Sequence, residues 1–225
     1  MLYEDELFQI YYNECDRRYI DKLVKIVRLR IPSILDFFKL TYNKKIVIKL
    51  YENLEKYKEN LISSFESEAR EKSIETGEKI EPREYQSWMI ANTEDGNINM
   101  QSLDLVLTQD DYSLYTEEEF CYNAAHEFTH LCQQQIGSDN PGWFWEVIAT
   151  TIGNPECQHE IKESFTFEDL NDFDKIDGYG AVYKIGKYLF SNYSKDLILE
   201  MVKDSKKINE VIPLVIDEVN KSKSK

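Results

Sequence analysis

Histidine is scarce in this chain of 225 residues, which has only three. Cysteine is little commoner: the four are Cys15, Cys121, Cys132 and Cys157, and no two of them form a Cys-x-x-Cys pair. That excludes a cysteine-based zinc knuckle, and the four are too sparse for a secreted disulfide framework. Buried or free thiols in a reducing compartment are expected instead. No apolar run approaches the ~20 residues that a membrane-crossing helix needs. Basic charge is also short, with 27 Lys and Arg against 42 Asp and Glu and a formal net charge of -15. A surface of that sign repels phosphate backbones, so nucleic acid is not an expected partner, and neither is a membrane. The opening residues, MLYEDE, lack the basic start and apolar run of a secretory signal, which leads to the expectation of a cytoplasmic protein.

What is present is ordinary for a globular chain: 42% hydrophobic and 31% charged residues, with aromatic content raised by 15 Tyr and 11 Phe. The length allows a core that needs no staples. No internal repeat interrupts it, and a single domain is expected over 1–225, with a helix-and-sheet lobe at 1–115 and a mainly helical lobe at 116–225. Alternating or branched runs predict strands at 7–12, 45–51, 87–92 and 98–107, with a turn at Glu94-Asp95-Gly96-Asn97 before the last. Apolar residues at helical spacing predict a long helix over 16–38, bent at Pro32, and a second starting near Asn53. The stretch 66–84 carries almost no large apolar residue and reads as an exposed helix extension and loop. Thr116-Glu117-Glu118-Glu119 is a capping box opening a helix to about Ile136. Further helices are expected from Trp143 to about Ile152 and over 179–193, 195–202 and 208–219. The fold class is α+β, a small mixed sheet followed by a mainly helical half.

Two of the three histidines fall in one short segment, His126-Glu127-Phe128-Thr129-His130, inside the capped helix. Residues four apart lie one turn apart on nearly the same face of a helix, so both imidazoles can reach one zinc ion. Glu127 projects beside them, where it can take a proton from a metal-bound water. Two histidines leave a catalytic zinc site incomplete, because a third protein ligand is required. The residues after His130, Leu131-Cys132-Gln133-Gln134-Gln135-Ile136, do not carry the third histidine of the metzincin pattern. The next helix places Glu146 within the apolar run Trp143-Phe144-Trp145-Glu146-Val147-Ile148-Ala149. A carboxylate there needs a partner to offset its desolvation, and a metal ion would supply one. A first-turn Glu stabilised by the helix dipole is the alternative. His159, in a polar stretch, is the rival ligand.

These segments resemble the gluzincin zinc metallopeptidases, especially the Peptidase MA-like group related to the aminopeptidase and thermolysin folds. The resemblance rests on HEFTH and on the Glu-x-x-Ala segment Glu146–Ala149 behind a Pro- and Trp-containing turn. It implies a zincin-like catalytic domain with His126, His130 and Glu146 as metal ligands, Zn²⁺ as cofactor and a peptide or protein as substrate. It implies Glu127 as the catalytic base. Tyr179, with Tyr183 as the fallback, would stabilise the oxyanion. Asn123 and Glu163 are candidates to orient the imidazoles, and residues 98–107 are the candidate sheet edge for an extended substrate. The chain lacks the Gly-Ala-Met-Glu-Asn segment with which aminopeptidases hold a free N-terminus, and Val147 stands where a Gly usually follows the ligand Glu. The alternatives are a non-catalytic binding module that keeps the fold, a regulatory peptidase that cuts one dedicated protein, and a purely structural zinc site. The unused Glu127 speaks against the last.

Overall fold

The computed structural model describes residues 1–112, 114–137, 140–154, 164–172 and 176–221. In chain order the elements begin with β1 (Leu2–Glu4), β2 (Phe8–Tyr11), a 3-10 segment (Glu14–Tyr19), α1 (Ile20–Phe38), β3 (Ile46–Tyr51) and α2 (Leu54–Thr76). Then come β4 (Ala91–Glu94), β5 (Asn97–Gln101), the short α3 (Leu103–Val106), α4 (Glu117–Ile136) and α5 (Gly142–Ile148). A π-helical segment (Ala149–Gly153) follows, and then α6 (Gly178–Asn192), α7 (Lys195–Lys203) and α8 (Ser205–Lys221). The fold is α+β. It divides into two compact units, residues 1–25 with 43–124 and residues 26–42 with 125–225. Among the described residues no helix is long and apolar enough to cross a membrane.

The first unit holds a mixed five-stranded sheet in the order β1-β2-β3-β5-β4. Strands β2, β3 and β5 run parallel, while β1 and β4 lie antiparallel at the two edges. In β3 the period of two is plain: Ile46, Ile48 and Leu50 are buried and the residues between them are half-buried. Parallel neighbours need a long crossover, and α2 provides it between β3 and β5. Its Tyr57, Leu61 and Phe65 form a buried cluster to which Tyr51, Tyr85 and Met89 add. Beyond Phe65 the helix turns mostly outward, as its polar sequence predicts, and Gly77 closes it at φ 73°. Thr116 and Glu119 form the expected reciprocal cap: the Glu119 amide donates to Thr116 Oγ1 at 3.2 Å, and the Thr116 amide to Glu119 Oε2 at 2.8 Å.

Two strand expectations are corrected here. The 87–92 strand is displaced to Ala91–Glu94, because the hairpin turn is only two residues long and the strand runs right up to it. Asp95 (φ 49°) and Gly96 (φ 75°) have the paired positive φ of a type I′ turn. The 98–107 segment is not a sheet edge. Strand β5 ends at Gln101, and the apolar alternation of residues 103–107 belongs to α3. β5 is paired on both sides, with β3 and with β4, so it has no free backbone edge to offer a substrate. The helix expected over 16–38 begins as the 3-10 segment, and α1 then continues through Pro32.

In the second unit α5 packs against α6, and α8 packs against α6 and α7. Phe128, Phe144, Val147, Ile185, Leu189 and Ile212 are fully buried there. Helix α4 stops where it was expected to, at Ile136, with Gly137 at φ 63° and its amide on the Gln133 carbonyl at 3.2 Å.

The hairpin gives a direct test of the sheet. Gly96→Ala forces an L-residue into the left-handed region and is expected to destabilise the protein by about 1 kcal/mol. Urea unfolding followed by circular dichroism should show a lower midpoint at an unchanged slope.

Candidate metal centre

All of the side chains that meet at the centre belong to the second unit. His126 and His130 stand one turn apart on α4, and their ring planes are nearly perpendicular at 84°. Their Nε2 atoms are 3.1 Å apart. Glu146, in the middle of α5, spans the pair: Oε2 lies 3.2 Å from His126 Nε2 and Oε1 lies 3.4 Å from His130 Nε2. A ligand atom of Glu127 lies within 4.8 Å of those of both histidines, so His126, Glu127 and His130 could hold a metal ion together. The stacked ring of Trp145 covers one side, its centroid 6.3 Å from that of His130.

These distances suit a cation. Bonds of about 2.0–2.2 Å in a tetrahedral site set donor atoms about 3.3–3.6 Å apart. Of the three separations, the 3.4 Å from His130 Nε2 to Glu146 falls in that range, and the 3.2 Å from His126 Nε2 to Glu146 and the 3.1 Å between the ring nitrogens fall just below it. Glu146 Oε2 is buried and accepts no hydrogen bond from the described residues, although His126 Nε2 is near. A buried carboxylate oxygen without a donor is costly, and a bound cation would satisfy it. The residues present therefore fit a zinc ion.

Three local features bring α5 to α4. Gly137 ends α4, and Pro141 opens α5, with the Phe144 amide donating to the Pro141 carbonyl at 2.9 Å. The π-helical segment then follows α5 directly, and such segments are rare and concentrate at functional sites. Its last residue, Gly153, touches the backbone of α4. A Cβ there would stand 2.6 Å from His126 Cα and 2.8 Å from Thr129 Oγ1, so only glycine allows the approach.

The electrostatics follow from burial and from the mutual contacts. Burial alone raises the Glu146 carboxyl, but His130 and His126 overcome it and hold the group far below the usual carboxylate range. Burial alone lowers His130, but the charge and hydrogen bond of Glu146 carry it up to about 9. Glu127 is buried and its carboxyl is raised, chiefly by desolvation and despite the two histidines. Without metal, then, the shifts make Glu146 and His130 an ion pair at neutral pH.

The sequence-derived residues divide as follows. His126, Glu127, His130 and Glu146 converge. Tyr179 is half-buried in the first turn of α6, and Tyr183 follows one turn on with the Lys187 ammonium 5.7 Å from its ring. Tyr179 precedes Gly186 by two helical turns and so shares its face, which packs on Thr151 and the Val147 carbonyl. His159 and Glu163 lie outside the described residues. Against His130 lies a residue that sequence reasoning passed over. Gln133 Oε1 lies 2.8 Å from His130 Nδ1, and Gln133 Nε2 donates to the Trp145 carbonyl at 3.1 Å. Its spacing of three from His130 was the available signal, since residues three apart are neighbours on a helix surface.

Glu146→Gln isolates the electrostatics. Metal-free protein carrying it should show His130 titrating far below 9, at or under the ordinary imidazole value of 6.5, when ring protons are followed by NMR. A value that stays near 9 would contradict the pairing. Comparison with protein-family models, curated proteins and solved structures finds no match to this chain.

Proposed function

We propose that the protein is a zinc-dependent peptidase of the gluzincin kind, with a zincin-like catalytic domain and a peptide or protein as its substrate. The observation that carries the reading is the convergence of two imidazole nitrogens and a carboxylate from the next helix at 3.1–3.4 Å, with a second buried carboxylate, Glu127, beside them. A mixed sheet ahead of the histidine helix in the chain is in keeping with it.

When bound, zinc supplies Lewis acidity towards the scissile carbonyl and acidifies an attacking water. His126, His130 and Glu146 are its ligands in this reading. Glu127 takes the proton of the attacking water and passes it to the leaving amine. Its carboxylate lies close enough to the ligand atoms of both histidines for both halves of that task. Tyr179 is the proposed hydrogen-bond donor to the oxyanion, with Tyr183 next in line; both are on α6, which packs on the helix bearing Glu146. The net charge of -15 favours basic peptides and disfavours nucleic acid and anionic membrane surfaces, in keeping with a cytoplasmic peptidase.

The test is metal content together with turnover of a mixed peptide library, before and after chelation. Parent protein should bind one zinc per chain and lose turnover on chelation. Glu127→Gln should keep the zinc and lose at least ~100-fold in turnover. His126→Ala and Glu146→Ala should each lower zinc below one per chain. Zinc bound at full stoichiometry with no turnover in the library would point to a non-catalytic binding module instead.

A further inference from the structure

A metal-ligating histidine is only as well placed as the group on its other ring nitrogen. At His130 that group is Gln133. The Gln133 side chain is buried in a protein interior where an amide must find partners at both ends, and it does so. Its carbonyl oxygen lies 2.8 Å from His130 Nδ1. An amide oxygen can only accept, so His130 carries a proton on Nδ1 in either charge state, and Nε2 faces His126 and Glu146. The amide NH₂ then donates across to the carbonyl of Trp145, the residue just before Glu146, at 3.1 Å. One side chain therefore contacts the ring of one candidate ligand and the backbone that carries another.

We propose that Gln133 is a positioning residue of the metal centre, a clasp that fixes the His130 ring and ties the Glu146 segment to α4. This rests on the metal reading of the site. The two ends of the amide do separate work. The acceptor end sets the ring orientation and proton position of His130. The donor end holds α5 in register with α4, alongside the backbone approach at Gly153. No charged group is needed for either, so the clasp adds no further carboxylate to a centre that already has two.

The experiment uses the full chain with ¹⁵N-labelled histidine rings and compares the parent with Gln133→Leu and Gln133→Glu, each checked for folding by circular dichroism. Two quantities are read: zinc affinity, and protection of the His130 Nδ1 ring proton from solvent exchange. Gln133→Leu removes both hydrogen bonds and is expected to lose about 10–100-fold in zinc affinity and to lose the protected ring proton. Gln133→Glu can still accept from the ring but cannot donate to Trp145. It is expected to keep the protected proton and to lose less affinity than Gln133→Leu. Should Gln133→Leu fail to fold, Gln133→Asn, which is too short to span both partners, is read the same way.

A folded Gln133→Leu with parental affinity and a parental ring proton would overturn the proposal. So would a Gln133→Glu no better than Gln133→Leu in ring protection, because the residue would then only fill space. The ring proton is read in the metal-free protein as well. A parent that binds no zinc would defeat the metal reading, while the loss or retention of ring protection in Gln133→Leu would still decide whether the clasp exists.

Discussion

Two imidazole nitrogens held 3.1 Å apart, with a buried carboxylate across both, set the constraint on which the second unit depends. Two neutral acceptor nitrogens cannot face each other at that distance without repulsion. A proton or a cation has to lie between them. In the metal-free protein Glu146 raises His130 to about 9, and the carboxylate is pulled far down in return. In the proposed reading a divalent ion would take the place of that proton between His126, His130 and Glu146, with Glu127 close by. The rest of the unit is arranged around that demand. The turn at Pro141, the glycine contact at Gly153 and the amide of Gln133 all bring the α5 segment against α4.

The separation of roles between the two glutamates is also physical. Glu146 lies across both imidazoles, and its partners stabilise its charge. Glu127 is buried too, yet burial dominates there and raises its affinity for a proton. Two carboxylates in one small space therefore differ in their affinity for a proton, one pushed down and the other up. Burial pushes both Cys121 and Cys132 up to about 12, so they remain protonated and inert at neutral pH.

Much of this was legible in the sequence because it is local. The spacing of His126 and His130, the Thr116–Glu119 cap, the break at Gly137 and the isolated Glu146 all act within a turn or two of helix. The Asp95-Gly96 hairpin was legible for the same reason, since its dipeptide demands positive φ. What the sequence hid is non-local. Whether β5 is an edge or an interior strand depends on β3 and β4 both pairing with it, which no alternation within residues 98–107 can reveal. Strand β1 has only three residues and is defined by its pairing with β2. Gly153 is needed because of a backbone 27 positions earlier in the chain, and Gln133 has its second partner in another helix. Glutamine in a polar helix-end run looks like surface; only the fold makes it buried.

X-ray absorption at the zinc edge, on purified protein loaded with one equivalent of zinc, tests the centre most directly. The account expects one ion per chain with two imidazole nitrogens at about 2.0–2.1 Å, oxygen ligands at about 2.0–2.2 Å and no sulfur. A sulfur shell at about 2.3 Å, or an ion with no imidazole signature, would contradict it.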